Sequence, residues 1–526
     1  MKIISLLFFS YLSIFASDKP NILLILTDDM GIGDVKAYNP SSVLNTPVLN
    51  KFCEQSLIFT DMHSPAPTCT ASRYGIMTGR YIWRDNIKSK DLEAYSKSII
   101  APSSDTLANL LKRHGYRTAL MGKWHLGINW PTKEDTEARP IKGSSTIEKS
   151  IDFTKNFTGG PLDHGFDSWF GLVGSLDKPP YAFMRDRKVD QTLNKFSPRH
   201  AGQDFGTPEL FRQEGLSSHI FEPQRALSKI INEAKSFIKS STPEKPFFLF
   251  LSLPVPHRPV IPRHPFLGSS RAGIYGDFIH EIDWSLGQIL ESLDQQNISE
   301  NTLVIFTSDN GSSVVSFDYD KAEYFRHRPN HIYKGRAGSL FEGGHRVPFI
   351  VRWPKNIKNS SEIKQTSSLN DIYATCAELL SETITNNTAE DSTSLLPLML
   401  NKPKDYAQFQ FVYQDWKQAF ALRYNKWKLI LSHDLEKRAI YDLDTDPSER
   451  QNLYQDNPDI VRHLSSELSH IIRQGRSTPG EAVHLKDNNF DFYWEEQFNE
   501  YEYSESSDSP VIEDASRLQK KSNLLD

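Results

Sequence analysis

The chain has 526 residues, of which 38% are hydrophobic and 24% charged, and a formal net charge of −6. These fractions exclude a disordered or fibrous chain, and the negative balance offers no polycationic surface, so nucleic-acid binding is not expected. The length exceeds what one simple core organises and points to a large domain followed by a smaller one.

In chain order, Met1-Lys2 opens an apolar run that closes on Ala16-Ser17. The run is too short to span a bilayer comfortably. Its basic start and small-residue end read as a secretory signal peptide over residues 1–17, which predicts a secreted or periplasmic protein. No later segment approaches the roughly 18 consecutive apolar residues of a membrane helix, so no span is expected. Ile22-Leu23-Leu24-Ile25-Leu26 is a continuous aliphatic run ending in Thr27-Asp28-Asp29, the pattern of a strand buried on both faces with carboxylates at its C-terminal edge. Leu107, Leu110 and Leu111 are spaced as one face of a helix, and Thr118-Ala119-Leu120-Met121 reads as a strand that ends at Gly122-Lys123-Trp124-His125. Phe247 to Leu253 is another buried-strand run, leading to Pro256-His257. Phe278, Ile282, Leu286, Ile289 and Leu293 have helical spacing. Thr302 to Ser308 repeats the first strand's design and ends in Asp309-Asn310-Gly311.

Buried strands alternating with amphipathic helices predict an α/β domain with a mostly parallel sheet flanked by helices, over residues 18–400. In such sheets ligands bind beyond the carboxyl ends of the strands, so the polar strand-end residues should converge on one rim. From residue 401 to 480 short alternating runs, such as Trp427 to Leu431, precede a helical stretch near 460–472, predicting a smaller α+β domain with an antiparallel sheet. The tail, 481–526, is acidic and rich in aromatics, more so than a wholly disordered segment would be.

Asp28, Asp29, Asp309 and Asn310 are hard oxygen ligands on two strand ends, of a type and number suited to Ca²⁺ or Mg²⁺ rather than zinc. Taken singly, such pairs are more often caps or turns. Two of them closing two similar buried strands point to a metal site. The three cysteines, Cys53, Cys69 and Cys376, are an odd number for a secreted chain and invite a role other than a disulfide for one of them.

That role is suggested by Pro67-Thr68-Cys69-Thr70-Ala71-Ser72-Arg73, followed by Thr78-Gly79-Arg80, which resembles the signature of type I sulfatases. The resemblance implies an alkaline-phosphatase-like catalytic domain in which Cys69 is oxidised to formylglycine by a formylglycine-generating enzyme during secretion. It also implies one Ca²⁺ held by Asp28, Asp29, Asp309, Asn310 and the modified Cys69. By the same resemblance Lys123 binds the sulfate, His125 contacts the formylglycine hydroxyl as a base, and His257 lies near the departing ester oxygen. Cys69 should begin a helix, whose N-terminus favours an anion, with Arg73 one turn on and able to reach the same point. The segments Gly171 to Tyr181 and Gly276 to Trp284 resemble the branch that includes galactose- and N-acetylgalactosamine-6-sulfatases. They imply a sulfated carbohydrate substrate, with Asp177 a candidate contact to it. There is one departure. Before Glu342-Gly343-Gly344, the position of the family's second sulfate-binding lysine falls on Ala337, leaving Lys334 or Arg336 to supply that charge. Two rival readings are a phosphatase or phosphodiesterase of the same fold, and a sulfate-sugar-binding relative that has lost catalysis.

Overall fold

A run such as Ile22 to Leu26 has no polar face, so it is stable only as a strand covered on both sides. In the computed structural model of the chain, which describes residues 19–133, 148–199, 212–242, 244–313, 327–402, 410–483 and 490–495, it lies near the middle of a large sheet. Among the described residues this sheet has ten strands: β1 (Asn21–Asp28), β2 (Leu57–Phe59), β3 (Arg117–Lys123), β4 (Ser168–Leu172), β5 (Met184–Arg185), β6 (Lys188–Val189), β7 (Phe247–Pro256), β8 (Thr302–Ser308), β9 (Phe349–Arg352) and β10 (Ser361–Ile363). Their spatial order is β10-β2-β9-β8-β1-β7-β3-β4-β5-β6.

The central strands β8, β1, β7, β3 and β4 are all parallel, in register from Ile22 opposite Phe248 and Leu303. Their carboxyl ends therefore share one rim, which brings together Asp28, Lys123, His257 and Asp309. The flanks add antiparallel pairs, β8 with β9, β9 with β2, β4 with β5 and β5 with β6, while β2 and β10 are parallel, so the sheet is mixed. Only two residues separate β5 from β6, and such a connection makes a hairpin, whereas a parallel return needs a dozen or more.

Side chains of β1 alternate between two cores. Ile22, Leu24 and Leu26 face one that includes residues of helices α2 (Cys69–Thr78), α3 (Leu107–Arg113) and α6 (Asp371–Leu379). Leu23 and Ile25 face another with residues of α1 (Pro47–Glu54), α4 (Ala226–Lys239) and α5 (Gly273–Gln295). The expected three-layer arrangement, helices on both faces of the sheet, is thus present.

The second sheet, β11 (Gln410–Gln414), β12 (Phe420–Tyr424), β13 (Trp427–Leu431) and β14 (Ala439–Asp442), is an antiparallel meander. Helix α7 (Pro458–Gln474) packs on β12 and β13, burying Val461, Leu464, Leu468, Ile471 and Ile472. The small sheet is joined to the large one by a buried charge network. Lys428 of β13 meets Glu342 at 3.0 Å and Glu449 at 2.9 Å, Arg346 meets Glu342 and Asp61 at 2.8 Å each, and Arg423 approaches Asp61 at 3.4 Å. Through its centre runs a chain from Lys428 Nζ to His345 Nε2 (3.0 Å), His345 Nδ1 to His63 Nδ1 (2.9 Å) and His63 Nε2 to Asp61 Oδ1 (2.8 Å). One tautomer assignment satisfies all three links. Lys428 donates to His345, His345 Nδ1–H donates to His63, and His63 Nε2–H donates to Asp61, with both rings neutral. The opposite assignment would satisfy the Leu340 carbonyl, 3.2 Å from His345 Nε2, but set a ring lone pair against the Asp61 carboxylate.

Residues Met1–Asn488 form one compact unit and Asn489–Asp526 another. In the second, Trp494 sits edge-on to the rings of Phe492 and Tyr493. The expected leader, 1–17, and most of the tail lie outside the described residues. No described helix is long and apolar enough to cross a membrane.

Candidate active site

The site is assembled at the rim where the parallel strands end. Cys69 is the first residue of α2, as expected from the run of residues after Pro67, and the helix stops at Gly79, whose φ of 65° closes the last turn with its N–H on the Gly75 carbonyl. The buried Cys69 Sγ lies 3.2 Å from Asp28 Oδ1 and 3.8 Å from Asp29 Oδ1. Ligand atoms of Asp28, Asp29, Cys69 and Asp309 all fall within 4.8 Å of one another. Asp29 and His125 hold φ angles of 66° and 58°, in the left-handed region where a non-glycine residue costs about 1–3 kcal/mol. Such strain persists only where surrounding contacts impose it. At Gly122 (φ 117°) a Cβ would lie 1.8 Å from the Ser252 carbonyl oxygen, so only glycine lets β3 deliver Lys123 here.

Two cations are already engaged. Lys123 Nζ donates to both oxygens of Asp28 at 2.8 Å. Arg73 Nε and Nη2 donate to Asp309 Oδ2 at 3.0 and 2.8 Å, while Nη1 donates to the Lys123 carbonyl and the Ser252 hydroxyl. Instead of pointing at a reacting anion, the Arg73 fork clamps Asp309 and ties α2 to β3 and β7. Asn310 donates its amide to Asp29 at 2.6 Å, and its Oδ1 is buried with no partner.

These contacts explain the protonation pattern. Burial opposes the Asp28 carboxylate, but Lys123, His257 and Arg73 outweigh it and hold Asp28 well below the usual range. Burial and the neighbouring Asp28 charge push Asp309 up to about 7, despite Arg73 and Lys123. Burial raises Asp29 too, with Asp28 adding to it against the pull of His257. The Cys69 thiol is driven up by burial, then by Asp28 and Asp309. Three buried carboxylates thus face two permanent cations, Lys123 and Arg73, and the His257 imidazole, with a carbonyl-type oxygen left unpaired. This hard-oxygen donor set fits a divalent cation such as Ca²⁺.

His125 Nε2 lies 3.3 Å from the Leu92 carbonyl and 3.4 Å from the Lys178 ammonium, and Nδ1 is buried without a partner. A ring nitrogen of His125 lies within 4.8 Å of Cys69 and Asp91. Burial, then Lys123, Lys178 and Arg73, keeps this imidazole neutral. At His257, burial opposes the imidazolium, but Asp28, Asp29 and Asp177 prevail and raise its pKa. Its Nδ1 donates to the Arg258 carbonyl at 2.7 Å, leaving Nε2 4.0 Å from Asp29. Asp177 is buried beside Arg258 (3.4 Å), with Oδ1 unpartnered.

The substrate-binding candidates diverge. Lys334 donates to the Glu449 carbonyl and lies over the rings of Phe341 and Tyr441, so it serves the junction with the small sheet. Arg336 is exposed and, among the described residues, its guanidinium has no partner. Ala337 and Gly338 are bound through their N–H groups to the Ser312 and Pro67 carbonyls, against the loop that precedes Cys69. Four participants escaped the sequence reading: Asp91, whose carboxylate takes the Thr70 N–H, the Leu92 carbonyl, Lys178 and Ser252. Ser252 carried a signal, as the one polar residue in the apolar run from Phe247 to Leu253.

The model of the sulfatase family matches residues 20–382, and that of the N-sulphoglucosamine sulphohydrolase C-terminal region matches 334–474. The chain belongs to the sulfatase family, and is thereby a sulfuric ester hydrolase. It is 32% identical to an N-acetylgalactosamine-6-O-sulfatase of Bacteroides thetaiotaomicron, over 86% of this chain and 93% of that one. It is also 32% identical to human N-acetylgalactosamine-6-sulfatase, over 73% of this chain and 66% of the relative. A solved Bacteroides thetaiotaomicron sulfatase, from work on the metabolism of multiple glycosaminoglycans, superposes with a TM-score of 0.75 at 30% identity, over 87% of this chain and all of the other.

Proposed function

We propose that this sulfatase hydrolyses sulfate esters of a carbohydrate outside the cytoplasm, with Cys69 converted to formylglycine and one Ca²⁺ bound. The observation that carries the reading is the placement of Cys69 Sγ, 3.2 Å from Asp28 within a cluster of three buried carboxylates. The sugar class rests on the two N-acetylgalactosamine-6-sulfatase relatives, and the location on the leader pattern of residues 1–17.

Asp28, Asp29, Asp309 and Asn310 would hold the metal, which supplies positive charge beside the nucleophile and the sulfate oxygens. The thiol stands where a hydrated aldehyde would present one hydroxyl to attack sulfur and keep a second by which sulfate is later expelled. The chain's own groups do the rest. Lys123, beside Cys69 and Asp28, places an ammonium against developing charge. The neutral imidazole of His125 takes a proton from the second hydroxyl. His257, whose pKa is raised by Asp28, Asp29 and Asp177 against burial, is placed to give a proton to the departing alkoxide. Arg73 keeps Asp309 in place and acts through it.

The test is sulfate release from 6-O-, 4-O- and 2-O-sulfated galactose, N-acetylgalactosamine and N-acetylglucosamine, after peptide mass spectrometry has confirmed conversion of Cys69, with Cys69→Ala as control. Calcium-dependent release from one sugar class is expected. No release from any of them by fully converted protein would overturn the sugar-sulfatase reading.

A further inference from the structure

Resting on that function, we propose that Lys178 is a sulfate-binding residue of this enzyme and supplies the positive charge that position 337 lacks. A sulfate monoester entering the rim meets the carboxylates of Asp28, Asp29 and Asp309. Of the cations nearest them, Lys123 is paired with Asp28 and Arg73 with Asp309, at 2.8 Å each, and the His257 imidazole lies 4.0 Å from Asp29. Arg258 is drawn to Asp177 at 3.4 Å. Lys178 differs. Its Nζ donates to the Leu92 carbonyl and stands 3.4 Å from His125 Nε2, with no carboxylate partner among the described residues.

Lys178 therefore brings a whole, uncompensated charge to the imidazole that neighbours Cys69. Its stem runs beside Gly174, where a Cβ would be in ordinary van der Waals contact with Lys178 Cδ and His125 Cδ2. A small cavity of about 10 Å³ is lined by Leu92, His125, Gly174 and Lys178 among others. A neutral carbonyl is a weak holder for an ammonium compared with an anionic sulfate oxygen, and the flexible stem can exchange one for the other. Gly338 N–H bonds to the Pro67 carbonyl, so position 337 lies next to the loop that leads into Cys69, where a lysine would be placed to serve the same anion.

The experiment uses full-length converted enzyme and reads two quantities: binding of inorganic sulfate by calorimetry, and kcat and KM on the sulfated sugar that the wild type cleaves. Lys178→Met should weaken sulfate binding and raise KM by about tenfold, the scale of one hydrogen bond to a charged group, with a smaller change in kcat. Lys178→Arg should stay within a few-fold of the wild type. Adding Ala337→Lys to Lys178→Met should return most of the lost sulfate affinity. The proposal is overturned if Lys178→Met binds sulfate within twofold of the wild type. It is equally overturned if kcat alone falls and Ala337→Lys restores nothing, which would make Lys178 a positioning residue for His125. Failure of the sulfatase reading looks different: a converted wild type that releases no sulfate.

Discussion

Two buried charge clusters in this chain use the same kinds of residue and end in opposite states. Where the small sheet meets the large one, Asp61, Glu342 and Glu449 face Arg346, Arg423 and Lys428, three against three, with two neutral histidines passing hydrogen bonds between them. At the strand ends Asp28, Asp29 and Asp309 face two permanent cations, Lys123 and Arg73, with the His257 imidazole 4.0 Å from Asp29, and oxygens and nitrogens of Asn310, Asp177 and His125 lie buried without partners. The junction balances its charges with its own side chains, although Arg346 Nε and Arg423 Nη1 are buried there without partners. A cluster that binds a metal and an anion must leave their share of the bonding open, and the folded chain bears that cost.

Breaking the open cluster should cost activity, and breaking the closed one should cost stability. Cys69→Ala should lower kcat at least about 10⁴-fold, measured by sulfate release, with an unchanged thermal midpoint. Lys428→Met strands Glu449 in the interior, leaving Glu342 to Arg346 alone, and should lose about 3–5 kcal/mol in chemical denaturation, because a buried charge is left unpaired. Calcium at a hundred times its dissociation constant should add about 2.7 kcal/mol of stability, followed by thermal shift and reversed by a chelator. The same increment should appear in Lys428→Met, as the clusters are separate, and shrink in Asn310→Ala.

Acid should act on the closed cluster. Burial lowers the pKa of His63, and burial with Lys428 lowers that of His345. With folded values below the unfolded value of about 6.5, the unfolded chain binds more protons, so their contribution is complete above that pH and is lost as pH falls through the window beneath it. The urea midpoint should drop between pH 7 and pH 5, and drop less in His345→Asn. The smallest effect is expected at Arg336, whose replacement by Ala should change stability by less than about 0.5 kcal/mol and activity by less than twofold.

How far these clusters could be read from the sequence follows from how local their signals are. Asp28 and Asp309 announce themselves because a buried strand and its polar end occupy one short stretch, and parallel strands put such ends on one rim. Cys69 was legible through its neighbours in the motif. What depended on pairing across hundreds of residues was not. Arg73 was expected to reach an anion, yet strand order places Asp309, 236 residues on, within its fork. Lys334 lies near the motif in sequence, but Glu449 and Tyr441 of the small-sheet region claim it. The closed cluster left no trace. Lys428 stands in the alternating run from Trp427 to Leu431, where a half-buried strand would turn its polar residue to water, and it is fully buried because both faces of β13 are covered.

Cys69 is 3% exposed at the bottom of the finished site, behind carboxylates drawn from both ends of the catalytic domain. Another enzyme's active site has no way to reach its sulfur there, so the conversion proposed for it must be done on a chain that has not yet closed. The clasp on that closure is the ion pair from Arg73 to Asp309, and ribosomes adding about 5–20 residues per second need on the order of 12–50 seconds to make the 236 residues between them. For the conversion proposed, the order of the strands along the gene would act as a timer, keeping the nucleophile open while the chain is being made.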